Sequence, residues 1–549
     1  MLTRLPKRLR PYAPQLFFTA IAMLVWLFIH GDFGISWDEA VQVAFGEKVR
    51  RYFAAGFDYS KLANFSAANA KYYAPGTDLM VATLVYALGI NPFLCLNAVS
   101  GLFWAGTFWP VCSLGRRLAG KPGGWFAGMA LLGIPVYLGH GFINPKDVPL
   151  AGAIACFLSV CSWASSAAAR SSASQRARFN WRHGLAMGAA FGFVLAMRPG
   201  AWFCVVLLGL PVLTLLFRRW LSRLRSPHIN SVPLLSRPLF RILLLCGAAI
   251  PVAWLLMVAP WPYAHQNPVA NPVRAISYAS HFDEGYQVLF EGKIWASKHL
   301  PWNYYFVYFG ITTPVLVLLF AIFGHISGAL NAWRRTLAFP VFVGCLFMVW
   351  FPLTYFLVAR PNVYDGLRHF LFLLPLSAVL AGSGAAACAR LLPQRLGFWV
   401  RHAIPAVCLL AAVPSLFSMH PYQYAYYNFL AGNRATVHER FETDFWVTSY
   451  REAAEWLNSK KGQNPQPMGV LVAANSHSLP AFGVFIRPDI QCSATMDYYP
   501  RQPLPPQFDY YVGSVRFGPN FSGSPIIHRI ERDGILMSVI RARQSPEIK

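Results

Sequence analysis

Two acidic residues, Asp38 and Glu39, stand side by side in Gly34-Ile-Ser-Trp-Asp-Glu-Ala, just past an apolar stretch. A carboxylate pair placed there could take a proton from an attacking hydroxyl or hold a divalent cation. It could equally be the acidic first turn of a helix running to Arg51, where carboxylates favour the helix dipole. A second group is Asn144-Pro-Lys-Asp147, a short polar run between two apolar segments, with Pro145 and Pro149 fixing the backbone. Turn chemistry explains the Asn-Pro and the Asp, but not Lys146 beside Asp147. Arg198 in Met-Arg-Pro-Gly and the pair Arg368-His369 lie at the ends of apolar segments. Ionisable groups at such depth are functional candidates, with snorkelling as the plain alternative. Lys71 adds a cation ahead of Tyr72-Tyr73-Ala-Pro75. Cations near a membrane surface suit a phosphate headgroup whose tail lies in lipid. With a carboxylate alongside to accept a proton, the set points to group transfer from a lipid phosphate.

The composition says what kind of element holds these residues. The 549-residue chain is 56% hydrophobic and only 13% charged, about half the ~25% charged fraction of soluble proteins. That excludes a soluble multidomain enzyme and a disordered chain. Apolar runs near the ~20-residue length that crosses a bilayer recur throughout. The first, about 14–30, follows Arg4, Lys7, Arg8 and Arg10 and lacks a small-residue cleavage site, so it reads as a signal anchor. Others cover roughly 92–115, 123–142, 148–169, 184–197, 200–217, 238–260, 304–324, 337–358, 369–389 and 403–418. The expected fold class is an all-α polytopic membrane protein of about 11–13 transmembrane helices. Residues 74–90 are apolar enough to cross, but counting them would turn every later loop over. They are expected to form a re-entrant or interfacial helix.

The loops 1–13, 116–122, 170–183, 218–237, 325–336 and 390–402, together with Arg241, hold 22 Lys and Arg and no acid. The positive-inside rule makes this face cytoplasmic. All 22 Asp and Glu fall on the other face, which is therefore expected to carry the chemistry. The net charge of +25 is thus a topology signal, and nucleic acid is not an expected partner. Residues 31–73 make a long first outer loop on a membrane domain spanning 1–418. Residues 419–549 read as a small periplasmic or lumenal α/β domain, with a β-like run at Met468–Ala474 and an amphipathic helix over Tyr450–Asn458. The Tyr and Trp residues between His420 and Trp446 are expected to anchor that domain at the membrane interface, with stacking on sugar faces as the alternative. Nine of the ten Cys lie in or beside apolar runs, and none has zinc spacing. The sequons Asn64-Phe-Ser66 and Asn520-Phe-Ser522 would matter only in a lumen.

Trp37-Asp38-Glu39 in a long loop after a signal anchor, Asn144-Pro-Lys-Asp147 in a short second loop, and many membrane helices before an outer C-terminal region resemble the GT-C glycosyltransferases. The similar branch contains the protein O-mannosyltransferases and the lipid A aminoarabinose transferase, and the resemblance covers roughly residues 1–420. It implies Asp38 as the catalytic carboxylate, Glu39 as its partner and Asp147 as the second-loop acid. Lys71 resembles the Lys that precedes paired prolines in the aminoarabinose branch, and Arg198-Pro-Gly stands where those relatives carry Lys-Gly. The reaction implied is transfer of a sugar from a polyprenyl-phosphate donor to an acceptor hydroxyl at the outer face of a bacterial inner membrane. Inversion at the anomeric carbon is expected, with Lys71, Lys146, Arg198, Arg368 and His369 on the lipid phosphate. No cofactor is required, although Asp38, Glu39 and Asp147 could hold a divalent metal. The alternative is a transporter or flippase of a lipid-linked substrate, but the chain shows no repeat and its charges lie at span ends rather than mid-span.

Overall fold

A computed structural model of the chain describes residues 6, 9–62, 68–171, 179–225, 237–280, 285–463, 467–474, 479–495, 504–515 and 524–543. Both sequons, the basic residues Arg4, Lys7 and Arg8, and the acids Asp283 and Glu284 lie outside the described residues. Within them, nine helices are long and apolar enough to cross a membrane. The chain is an all-α integral membrane protein with a small C-terminal sheet.

The nine helices and the eleven expected spans agree once two segments are resolved. Pro92–Leu132 is broken at Gly120, where φ is 81° and ψ −167°, a conformation open mainly to glycine. A Cβ on Gly124 would lie 3.0 Å from the Cys112 carbonyl oxygen, although an unbroken helix would hold those residues about 18 Å apart. The two halves therefore fold back as a hairpin with Arg116, Arg117 and Lys121 around its turn. The other segment, Trp181–Met197, has 17 residues and is short, as its sequence predicts. Gly76–Leu88 has 13 residues, about 20 Å of helix. That is too short for a hydrocarbon core of ~30 Å.

One expected span is displaced. Tyr304–Thr312 is a separate short helix, and the crossing helix is Val315–Arg334. Pro314 causes the break: it has no N–H to donate, and it holds Thr313 in an extended conformation.

The helix Leu373–Leu391 is central and almost wholly buried. It is apolar on all sides, and its Gly-Ser-Gly-Ala-Ala-Ala run brings neighbouring backbones close, as small residues do in membrane bundles. A Cβ on Gly382 would sit 2.6 Å from the Ala127 nitrogen, one on Gly384 would collide with the Phe320 carbonyl, and one on Gly324 with the Leu380 carbonyl. Gly384→Leu is therefore expected to cost more than the ~1–3 kcal/mol of ordinary overpacking, because backbone must move. Gly106→Leu is the control, since nothing lies within 4 Å of a Cβ there. Thermal unfolding in detergent checks both: a large loss at Gly384 and none at Gly106 is the expected outcome.

Two β-structures lie outside the helical bundle. β1 (Gln287–Phe290) and β2 (Lys293–Ala296) form an antiparallel hairpin in a loop where no strand was expected. The hairpin docks on the segment after the last crossing helix, where the Gly292 N–H donates to the Arg440 carbonyl at 3.1 Å. Downstream, β3 (Met468–Ala473), β4 (Ile490–Thr495), β5 (Tyr510–Ser514), β6 (Ile526–Arg532) and β7 (Ile535–Ala542) form a five-stranded sheet. Its order is β4-β3-β5-β7-β6, with β3 parallel to both neighbours and β7 antiparallel to both. The helix Tyr450–Gln463 precedes it, and the Tyr450 hydroxyl bonds the Ala473 carbonyl at 2.8 Å and the Ser514 N–H at 3.0 Å. One buried core runs from the crossing helices through the segment 419–449 into this sheet.

Candidate active site

Arg368 sits on a single 3-10 turn, Arg368–Phe370, that leads into the central helix. Just before it, Asp365 and Gly366 both take positive φ, 61° and 60°, and reverse the chain so that Asp365 faces its own Arg368. The side chain of Arg368 is 4% exposed, and its guanidinium is shared by three carboxylates. Nη1 meets Asp365 Oδ2 at 2.8 Å, Nε meets Asp147 Oδ2 at 3.2 Å, and Nη2 pairs with Asp38. The planar fork of arginine allows this, because each aspartate meets a different nitrogen, whereas an ammonium gathers its donors on one atom.

Asp38 and Asp147 carry the network outward. Lys146 Nζ lies 3.7 Å from Asp38 Oδ2, and Arg198 Nη2 lies 3.0 Å from Asp147 Oδ1. Asp147 is held by a local turn: its N–H donates to Asn144 Oδ1 at 3.0 Å, and Asn144 Nδ2 donates to its carboxylate at 3.0 Å. The Asn-Pro-Lys-Asp run is thus both a turn and a site. Three carboxylates face three cations (Lys146, Arg198 and Arg368), so the cluster is neutral before any substrate arrives. Burial alone would push the Asp38 carboxyl up, but the Arg368 and Lys146 charges more than reverse this and hold it at about 2. Asp38 is 17% exposed and remains ionised throughout the neutral range.

The structure places the other candidate residues apart from this network or in another state. Glu39 does not join the network. Successive helix residues point about 100° apart, and Glu39 is wholly buried with its carboxyl accepting from Ser36 Oγ at 3.0 Å. Burial raises its pKa well above that of an ordinary carboxylate. Lys71 lies outside the ion cluster on an exposed turn, with Nζ over the Tyr72 ring at 5.1 Å and near the Tyr263 ring at 6.0 Å. His369 sits in the cluster, but burial, together with the Arg368 and Arg198 charges, pushes it down to about 3. It is therefore a neutral ring and not a phosphate-binding cation. Asp38, Glu39 and Asp147 do not fit a metal, because Arg368 lies between the two aspartates and Glu39 is turned away. Among the described residues no three His, Cys, Asp or Glu converge as a metal site.

The sequence missed Asp365 and the floor of the site, which comes from far along the chain. Trp446 lies over the Arg368 guanidinium at 4.4 Å, and Tyr364 at 5.7 Å. The turn bearing Trp446 is organised by Asp444, which accepts from the Thr448 N–H at 3.1 Å and from the Tyr424 and Ser449 hydroxyls. Burial raises the Asp444 carboxyl to about 6. The Trp37 N–H donates to the Trp446 carbonyl at 3.3 Å, and a Cβ on Gly34 would run into Thr448. The first loop is thereby clamped to this turn. The expected interfacial anchors are instead buried: Tyr422, Tyr424, Tyr427 and Trp446 are each at most 2% exposed. Asn428 donates to the carbonyls of Gly310 and Thr313, both at 2.7 Å, tying the segment to the end of the helix Tyr304–Thr312. The clustering of Tyr, Asp and Trp after the last span was the available signal.

No protein-family model and no curated protein matches the sequence. Among solved structures the chain is similar to ArnT from Cupriavidus metallidurans bound to undecaprenyl phosphate, at 17% identity and a TM-score of 0.50, over 97% of this chain and 98% of that one. The apo state of the same protein matches at 17% identity and a TM-score of 0.50, over 96% and 97%. The similarity extends over nearly the whole of both chains and shows that this chain has the fold of ArnT.

Proposed function

We propose that the protein is a membrane glycosyltransferase that moves a sugar from a polyprenyl-phosphate donor to an acceptor hydroxyl. The observation that carries this reading is the buried Asp38–Arg368–Asp147–Arg198 network, with Lys146 at its edge. It lies at the ends of crossing helices in a fold shared with a protein solved with undecaprenyl phosphate. A lipid phosphate entering at Lys146 and Arg198 would exchange carboxylate partners for phosphate oxygens, and Arg368 would share in its charge. Those cations then stabilise the charge that develops on the phosphate as the anomeric C–O bond breaks. Release of one cation frees Asp38 to take the proton of the acceptor hydroxyl as oxygen attacks the anomeric carbon from the opposite side. A single displacement inverts that carbon.

In this reading the site faces the periplasm of a bacterial inner membrane, with the N-terminus cytoplasmic. Residues 1–418 embed the catalytic part, and 419–549 form the outer unit that closes its floor. The test is sugar transfer or release from a panel of radiolabelled polyprenyl-phosphate sugars by the purified full chain. Turnover of one donor, with free polyprenyl phosphate as product, is expected. Intact donors throughout, with lipid phosphate still bound, would remove the transferase reading.

A further inference from the structure

Asp78 is 8% exposed, at the first turn of the helix Gly76–Leu88. The start of that helix is clamped from two sides. Gly46, on the helix that begins beside Asp38, brings its backbone against Asp78, so that a Cβ there would be 3.3 Å from the Asp78 Cβ. On the other side a Cβ on Gly76 would lie 2.6 Å from the Ala196 carbonyl, and the Thr77 hydroxyl bonds Met197 Sδ at 2.8 Å, one residue before Arg198. Asp78 is thus fixed between the Asp38 loop and the Arg198 turn. Both Lys146 and Asp38 act on its charge.

Its partners set it apart. Asp38, Asp147 and Asp365 are each on Arg368, Glu39 is on Ser36, and Asp444 is on Tyr424, Ser449 and Thr448. Asp78 makes no hydrogen bond and no ion pair among the described residues. Buried polar groups are nearly always satisfied, and leaving a charged one unpaired destabilises a fold. Burial has pushed this carboxyl up to about 6, against the pull of Lys146, and no donor among the described residues reaches its oxygens.

We propose that Asp78 is a substrate-binding residue of the transferase site, accepting a hydrogen bond from a sugar hydroxyl held beside Lys146. This rests on the transferase reading above. It adds a specificity-determining carboxylate that the sequence did not single out, separate from the proton-accepting role of Asp38. The hydroxyl belongs either to the donor sugar or to a glycan acceptor, and the kinetics separate the two.

The test compares Asp78→Asn and Asp78→Ala with wild type, as full-length protein in detergent with the donor found active above. Transfer is measured with donor and acceptor varied in turn, and thermal unfolding is followed in parallel. Expected is a fall in kcat/KM of about 10- to 100-fold in Asp78→Ala, the usual loss for a hydrogen bond to a charged group, and a smaller fall in Asp78→Asn, whose amide oxygen can still accept. A rise in the donor KM places the hydroxyl on the donor sugar, and a rise in the acceptor KM places it on the acceptor. The Tm is expected to hold or rise, because an unpaired buried charge has gone. That pattern is one a merely structural residue would not produce. Wild-type kinetics in both variants would overturn the inference, as would a Tm that falls in step with activity. An active wild type with unaffected variants fails the inference alone, whereas a wild type inactive on every donor fails the transferase reading and the inference with it.

Discussion

Arg368→Met is expected to abolish activity and to remove most of the folded protein, the largest effect of any single substitution in the site. The change leaves Asp38, Asp147 and Asp365 without their shared guanidinium. Removing one partner of a buried pair costs about 3–5 kcal/mol, and here three carboxylates lose their partner together. Arg368→Lys keeps the charge but gathers it on one compact nitrogen, where the three aspartates meet three separate nitrogens of a planar fork. It is expected to fold partially and to transfer sugar at least ~10²-fold more slowly. Yield, Tm and transfer rate measured together check this. A lysine variant with wild-type Tm and rate would mean that charge alone, and not the fork, holds the three aspartates.

Asp38→Asn is expected to lower kcat by about 10²- to 10⁴-fold, the range for loss of a positioned base, with the fold intact. The amide oxygen can still accept from Arg368, so the positioning bond survives while the proton acceptor is lost. The pH behaviour follows from the direction of the shift. Asp38 is depressed to about 2 from an ordinary 3.8, so the stability from its ion pairs is complete above about pH 4. It is lost only as the pH falls toward 2. Across pH 6–8 the residue stays ionised, and the ratio of wild-type to Asn rate is expected to stay constant there. A ratio that changes tenfold over that window would mean that another group carries the proton.

The membrane class, the positions of most crossing helices and the presence of acids and cations at their ends were legible in the sequence. Each depends on a property that acts locally or sums along the chain. A 20-residue apolar run cannot be placed in water, and Lys and Arg resist translocation whatever the tertiary structure. Asp38, Lys146, Asp147, Arg198 and Arg368 were visible because ionisable residues at span ends are costly unless used.

Which of those residues meet was decided by tertiary structure. Asp38 and Glu39 are equivalent in sequence, but only Asp38 faces Arg368. Glu39 is turned into the core by helical geometry, where burial raises its pKa. Lys71 resembled a phosphate ligand from its neighbours in sequence, yet its turn holds it against Tyr72 and Tyr263 instead. His369 is buried beside a residue that is always charged, and burial first, with that charge, keeps it neutral. Trp446 and Asp78 carry no motif, because their places are set by contacts with Arg368 and Gly46, far away along the chain. By itself, then, the sequence determined the solvent of each segment and the inventory of charges, since hydropathy and charge belong to residues. Only the fold decided which charges are paired, neutral or left open, because those states depend on distances between segments that no local pattern encodes.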